Sequence, residues 1–134
     1  MQTLQIEKSY AIQCVNNNNR ARSLTNQNTH FSNINASKNV WWLDIPLEKI
    51  NSDRESSINI LLYEYNSASL FLLVVPKTYF REHISSFVCR NEKKVISLEL
   101  SADTFRLFQD VRPTSMCLPF AQFLRNSLKL VNFN

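Results

Sequence analysis

The sequence has 134 residues, 44% of them hydrophobic and 11% aromatic, which fits one globular domain with a modest core. Its formal charge of +4 is smaller than that of a histone-like basic tail. Its three cysteines are widely spaced, which argues against a disulfide framework or a zinc site. The absence of glycine argues against phosphate-binding loops and dinucleotide fingerprints. We therefore expect a single domain over residues 1–134, with no cofactor and no bound metal. No apolar run is long enough to cross a bilayer, so we expect a cytoplasmic protein without membrane contact.

The charge is distributed unevenly along the chain. Residues 8–43 contain no Asp or Glu, and nine of the residues 16–39 are Asn. The stretch 44–64 is acidic, and residues 65–134 are again basic. A surface of cations and amides without carboxylates can hold a phosphate backbone and hydrogen-bond base edges. A solvated low-complexity loop is the alternative that this composition leaves open.

The first third of the chain predicts strands around a long loop. Residues 4–14 place apolar side chains on even positions, which indicates a strand pair or one interrupted strand. Residues 16–39 have no clear period and predict an Asn-rich basic loop or arm, with a short strand near Phe31. Residues 40–45 predict a strand in which Trp41 and Trp42 face opposite ways.

The remaining elements complete a mixed fold. A turn of helix is expected over 47–50, and residues 58–65 and 70–75 predict a hairpin with a short polar loop. Helical spacing follows over 79–88, a strand over 94–100, and Pro119 is expected to open a final helix. These elements predict an α+β fold, mainly β, with antiparallel strands and two short helices around a small open barrel.

The segment 105–115, FRLFQDVRPTS, crowds hydrogen-bonding groups among apolar anchors. Arg reads guanine bidentately, Gln reads adenine, and Asp accepts from cytosine, so such a segment suits a major groove. The alternative is a surface ion pair between Asp110 and Arg112 of little energetic weight. The basic residues within 77–94, namely Lys77, Arg81, Arg90, Lys93 and Lys94, suggest phosphate contacts, with an ordinary solvated face as the alternative.

An enzyme and a protein-interaction module are the competing hypotheses. Asp44, Glu64 and Glu99 are strand-borne carboxylates that a small Mg²⁺-dependent nuclease would use, but none is followed two positions later by Lys. Neither His30 nor His83 has a nucleophile–base partner nearby in the sequence. We therefore predict no catalytic residues in this chain. In the third hypothesis, exposed aromatic side chains dock a protein partner.

In its hydrophobic pattern and order of elements, the chain resembles the B3-like DNA-recognition domains of plant transcription factors and certain restriction endonucleases. The resemblance rests on WWLDIPLEKI, INILLYEY, LFLLVVPKTYF, ISLELS and FQDVRP before PFAQFL, about two-thirds of the chain. It implies an open pseudobarrel of about seven strands with two arms in the major groove. The first arm would fall around residues 20–28, and the second over 90–94 or 106–112. In restriction enzymes a separate domain or subunit cuts the DNA.

We therefore predict sequence-specific binding of double-stranded DNA, as the recognition domain of a restriction–modification system. The predicted base contacts are Arg20, Arg22, Asn26, Asn28, Gln109, Asp110 and Arg112. The predicted phosphate contacts are Lys38, Arg81, Arg90, Lys93 and Lys94.

Overall fold

The computed structural model describes residues 5–18, 23–102, 108–111 and 117–130. The helices and strands follow in chain order as α1 Lys8–Asn18, β1 Thr29–Asn33, β2 Val40–Pro46, α2 Leu47–Asn51, β3 Ser57–Glu64, β4 Ser69–Pro76, α3 Lys77–Glu82, β5 Val88–Arg90, β6 Val95–Ser101 and β7 Leu124–Lys129. Short 3₁₀ turns occupy Ile84–Ser86 and Ala121–Phe123. Within the described ranges, no helix is long and apolar enough to cross a membrane.

The seven strands form two sheets that do not close into a barrel. One sheet has four strands in the order β1-β3-β4-β7, and the other has three in the order β2-β6-β5. This confirms the prediction of a mainly β, α+β fold with about seven strands. One pair departs from the expected antiparallel arrangement: β1 runs parallel to β3, because the chain crosses to the other sheet between them.

The central strands of the four-stranded sheet, β3 and β4, are buried on both faces. In β3, Ile60 and Leu62 pack into the core shared with the three-stranded sheet. Leu61 and Tyr63, which point the other way, pack with Ala11 and residues near it in α1. Because successive side chains of a strand point to opposite faces, a strand covered on both sides needs a continuous apolar run. The protein therefore has three layers: α1, the four-stranded sheet and the three-stranded sheet.

The three-stranded sheet has one buried face. In β2, Trp41 is completely buried, whereas Trp42 and Asp44 are exposed. The Trp41 indole N–H donates to the carbonyl oxygen of Tyr63 at 2.9 Å and so ties the two sheets together. The predicted alternation of the two tryptophans is thus confirmed.

Two predicted elements differ from the structure. Residues 8–18 form a helix rather than the predicted strand, because Ala11 and Val15, one helical turn apart, are the side chains that the sheet buries. The helix expected after Pro119 is a 3₁₀ turn followed by β7, which pairs with β4. The edge of the four-stranded sheet offers backbone hydrogen bonds that override local helical spacing.

The helix expected over residues 79–88 is shorter than predicted and begins earlier. It is α3, Lys77–Glu82, which starts directly after Pro76, and the chain then passes through a 3₁₀ turn into β5.

The stacked sheets have two opposite ends along the strand direction, and the predicted contacts are divided between them. At one, the Leu47 N–H donates to the Lys94 carbonyl at 3.0 Å, and the Lys49 ammonium donates to the Gln27 carbonyl. Helix α2 therefore contacts both the turn 25–28 and the turn 91–94, and we call this the α2 end. At the opposite end, the Val111 N–H donates to the Glu99 carbonyl at 2.8 Å, which places residues 108–111 there.

Candidate nucleic-acid interface

The outer face of the three-stranded sheet carries a grid of polar and aromatic side chains. Trp42 of β2 lies opposite Glu99 of β6, and Asp44 lies opposite Ser97. In the next row towards the α2 end, Pro46 and Arg90 flank Val95. Because directly paired residues share a face, the strand register alone brings these residues together.

Trp42 is a fixed aromatic platform on this face. Its side chain is 45% exposed, and its indole N–H donates to Oε1 of Glu99 at 2.8 Å, which fixes the ring orientation. The Lys38 ammonium lies 5.2 Å from the centre of the ring, within the range of a cation–π contact. The Lys38 backbone is itself held by Asn35, whose Oδ1 accepts its N–H at 3.1 Å.

Beside Trp42 lies a pocket of about 250 Å³. It is lined by Trp42, Leu43, Asp44, Arg90, Ser97 and Leu98. The Ser97 hydroxyl donates to Oδ1 of Asp44 at 2.7 Å, which fixes one carboxylate oxygen and leaves a second that can accept. Arg90 makes a loose, half-exposed ion pair with Glu92 at 3.6 Å, an interaction too weak to hold the guanidinium against a phosphate.

At the α2 end, the turn 91–94 places Lys93 and Lys94 in solvent directly after Arg90. The backbone of Lys94 has a φ of 53°, in the left-handed region that non-glycine residues adopt at a cost. The hydrogen bond from Leu47 to the Lys94 carbonyl helps to hold that conformation.

The turn 25–28 is surrounded by donors on the other side of α2. Lys8 Nζ donates to the Asn26 carbonyl at 2.8 Å, Lys49 to the Gln27 carbonyl, and Asn59 Nδ2 to the Asn28 carbonyl at 3.1 Å. Burial and the neighbouring Lys49 ammonium lower the pKa of Lys8.

His30, two residues after this turn, lies close to Lys49 and Lys8. Burial, together with Lys49 and Lys8, lowers the pKa of His30 from 6.5 to about 4. The imidazole is therefore neutral at pH 7.

The predicted base contacts are divided between the two ends. Asn26 is exposed in the turn at the α2 end, but the Asn28 side chain closes that turn, accepting from Thr25 at 2.8 Å and donating to Ser23 at 3.2 Å. Gln109 and Asp110 lie at the opposite end. Arg20, Arg22 and Arg112 lie outside the described residues.

The prediction that Asp110 contacts a base edge does not hold in this structure. Its side chain is fully buried, and Oδ1 accepts the Glu99 backbone N–H at 3.0 Å. Asp110 therefore fastens its segment to β6. Gln109 donates to the Cys117 carbonyl at 3.3 Å and is only partly exposed.

The predicted phosphate contacts also separate into two groups. Lys38, Arg90, Lys93 and Lys94 belong to the three-stranded sheet and its turns. Arg81 does not: its Nε–H donates to the Ile50 carbonyl at 3.0 Å and a second nitrogen lies 3.4 Å from the Ser52 carbonyl, so it caps the end of α2. Arg81 therefore has a structural role, and its contact with a phosphate stays a prediction.

The carboxylates considered for a nuclease do not assemble into a metal site. Glu64 accepts the backbone N–H groups of Asn66 and Ser67 and closes the β3–β4 loop, in the sheet that does not contain the other two. Asp44 and Glu99 are diagonal neighbours on the outer face, but each is engaged by Ser97 or Trp42. In the described parts of the chain no group of three or more His, Cys, Asp or Glu residues is arranged to hold a metal ion.

Sequence reasoning missed the pocket and the cations around the turn 25–28. The pocket depends on the pairing of β6 with both β2 and β5, and the β2–β6 pairing links positions about 50 residues apart. Lys8 belonged to the acid-free stretch and was visible as part of that signal, whereas nothing in the pattern around Lys49 indicated its partner Gln27.

Comparison of the chain with family models, curated proteins and solved structures finds no match. The B3-like resemblance therefore stays a prediction, and the function has to be argued from the geometry above.

Proposed function

We propose that this protein binds double-stranded DNA in a sequence-specific manner, using the outer face of the three-stranded sheet and the adjoining turns of the α2 end. The observation that carries the proposal is the approach of two separate turns to one short helix. Through Lys49 and Leu47, α2 contacts both the Asn-containing turn 25–28 and the lysine-containing turn 91–94.

This arrangement supports a two-arm grip on a duplex. One turn lies within the Asn-rich basic segment, and the other presents Lys93 and Lys94 to solvent. Amides read base edges and cations hold phosphates, so the two turns supply the two kinds of contact that specific binding requires. Of the two candidates for a second arm, residues 90–94 are favoured over residues 106–112, since Gln109 and Asp110 lie at the opposite end.

The restriction–modification role is the finer part of the proposal. The described residues contain no grouped metal ligands, so in this proposal the chain recognises the site and the cutting activity resides in a separate domain or subunit. A partner nuclease would then supply the metal chemistry.

The test is a titration of labelled duplex with the purified chain at several salt concentrations. Lys94→Ala should weaken binding to all sequences about equally and reduce the slope of log K against log salt by about one unit, because one phosphate contact is lost. Lys93→Ala should act in the same direction.

Arg125→Ala is the matched control, since it removes an exposed cation from β7 in the other sheet. It should leave the slope unchanged. Absence of duplex binding at physiological salt would overturn the proposal and favour a protein-interaction module. Cleavage of the duplex in Mg²⁺, lost in Glu99→Gln, would favour a nuclease instead.

A further inference from the structure

We infer that the pocket beside Trp42 binds a single unstacked nucleobase, with a preference for bases that carry an exocyclic amine. The inference rests on the proposed function and adds to it a second contact mode. The turns at the α2 end would hold the backbone, while this pocket receives one base that has left the stack.

The first argument is the shape of the pocket. The paired residues Asp44 and Ser97 lie between the row that contains Trp42 and the row that contains Arg90, so an aromatic ring and a guanidinium flank a polar floor. Its volume of about 250 Å³ is below the range of about 300–1,000 Å³ that is usual for drug-sized ligands. A single planar ring system suits that size.

The second argument is the rigidity of the aromatic wall. Aromatic side chains bind unstacked bases by stacking, which every base can do because every base has a π-face. The bond from the Trp42 indole to Glu99 at 2.8 Å fixes the ring before any ligand arrives. A ring held in this way loses little conformational entropy on binding.

The third argument is the hydrogen-bonding edge. A carboxylate only accepts, so Asp44 is suited to an amino group of cytosine, adenine or guanine. Thymine presents two carbonyl oxygens around one N–H, and those oxygens would be repelled by the same carboxylate. The bond from Ser97 at 2.7 Å orients Asp44 towards this role.

The fourth argument is the placement of cations around the pocket. The Lys38 ammonium lies 5.2 Å from the centre of the Trp42 ring and is exposed. A stacked base would take over the ring face, and the ammonium would then transfer to the adjoining phosphate. Arg90, on the other side of the pocket, is free of any strong ion pair and can hold the next phosphate.

The base can come from a single strand or from a duplex by extrusion. Short oligo-dC and oligo-dT represent the first source. A duplex with one central C opposite an abasic position, compared with the fully paired duplex, represents the second, because an unpaired base is the least costly to extrude.

The experiment measures affinity by fluorescence anisotropy for the wild type, Trp42→Ala, Trp42→Phe and Asp44→Asn. Loss of one stacked base should weaken binding of oligo-dC and of the abasic duplex about 5- to 150-fold in Trp42→Ala. Trp42→Phe should recover most of that loss. Asp44→Asn should reduce the preference for oligo-dC over oligo-dT, because an amide also donates to carbonyl oxygens.

Tyr10→Ala is the matched control, since Tyr10 is a 50% exposed aromatic residue on α1, in the outer layer on the other side of the molecule. It should bind like the wild type. The inference is overturned if Trp42→Ala binds every ligand as tightly as the wild type, or if oligo-dT binds as well as oligo-dC. In either case, salt-dependent binding of the paired duplex would leave the proposed function intact. If no ligand binds, both fail.

Discussion

The two sheets of this protein differ in what covers their outer faces. The four-stranded sheet is packed between α1 and the other sheet, and β4 is buried at six consecutive positions from Leu70 to Val75. The three-stranded sheet buries only its inner face and leaves Trp42, Asp44 and part of Arg90 in contact with solvent. One sheet is a scaffold on both sides, whereas the other presents a surface.

Under the proposed function, this difference separates the residues that stabilise the fold from those that contact the ligand. Strands β3 and β4, covered on both faces, leave few side chains free to contact a ligand. On the open sheet, successive residues of the same strand carry different tasks, as Trp41 and Trp42 do. Substitutions on the two sheets, and on the two faces of one strand, should therefore separate loss of folding from loss of binding.

The largest effect is expected at Trp41. Trp41→Ala removes a fully buried ring that packs against Phe71 and Phe108 and a hydrogen bond to Tyr63. It should lower the free energy of unfolding by about 3–5 kcal/mol, as measured by urea titration. Trp42→Ala should lower it by less than about 1 kcal/mol, because that ring is half exposed. Equal losses would contradict the assignment of the outer face as a binding surface.

The next effect concerns the two faces of β4. Leu72 faces the α1 layer and Leu73 faces the three-stranded sheet, and both are buried. Leu72→Ala and Leu73→Ala should each lower the free energy of unfolding by about 2–5 kcal/mol.

In β6 the corresponding pair should be unequal. Leu98→Ala should fall in the same range, since Leu98 faces the core, whereas Ser97→Ala loses only its hydrogen bond to Asp44, worth about 1 kcal/mol. For β4, a small loss of unfolding free energy in Leu72→Ala would mean that α1 does not cover the four-stranded sheet in solution.

A pH-dependent effect is expected where the four-stranded sheet adjoins α2. The pKa of His30 is about 4 in the folded protein, against an ordinary value of 6.5 for a solvated histidine, so the unfolded chain takes up a proton first as the pH falls. His30 therefore contributes full stability above pH 6.5, and this contribution is lost between pH 6.5 and about 4, on the order of 3 kcal/mol in total.

Urea titrations across that pH range should show a smaller decline in His30→Gln than in the wild type. His83→Gln, which removes the other histidine of the sequence, should keep the decline. If the free energy of unfolding of His30→Gln declines as much as that of the wild type, the effect comes from carboxylates and not from His30.

The smallest effect tests the structural role of Arg81. Arg81→Ala removes hydrogen bonds to the Ile50 and Ser52 carbonyls and should lower the free energy of unfolding by about 1 kcal/mol. Duplex affinity and its salt dependence should not change. Arg54→Ala is the matched control for an exposed cation in the adjoining loop and should leave stability within about 0.5 kcal/mol. A reduced salt slope in Arg81→Ala would restore it as a phosphate contact.

Elements with strong local patterns were predictable from the sequence. The apolar runs around Leu61 and Leu72, separated by a short polar loop, identify the β3–β4 hairpin without tertiary information. Pro46 and Pro76 each end a strand and precede a helix, as the fixed φ of proline favours.

Elements that depend on tertiary contacts were not predictable. The even-numbered apolar residues near Tyr10 suggested a strand, but α1 is fixed by the burial of Ala11 and Val15 against a sheet that the sequence does not reveal. The same holds for the site. Lys94 and Arg90 were identified as exposed cations, whereas the buried position of Asp110 follows from a bond to the Glu99 backbone that no spacing rule indicates.

A chain without glycine must build its tight turns from bulkier residues. Among the described residues, Asn39, Ala68, Lys94, Phe108 and Cys117 adopt a positive φ. Asparagine accepts this conformation readily, but alanine does so only against the clash of its Cβ with the backbone, about 1–2 kcal/mol. Ala68 in the β3–β4 loop, with a φ of 52°, therefore carries backbone strain that lowers the thermal stability of the protein. Ala68→Gly should raise the melting temperature, although the greater chain entropy of glycine offsets part of the gain.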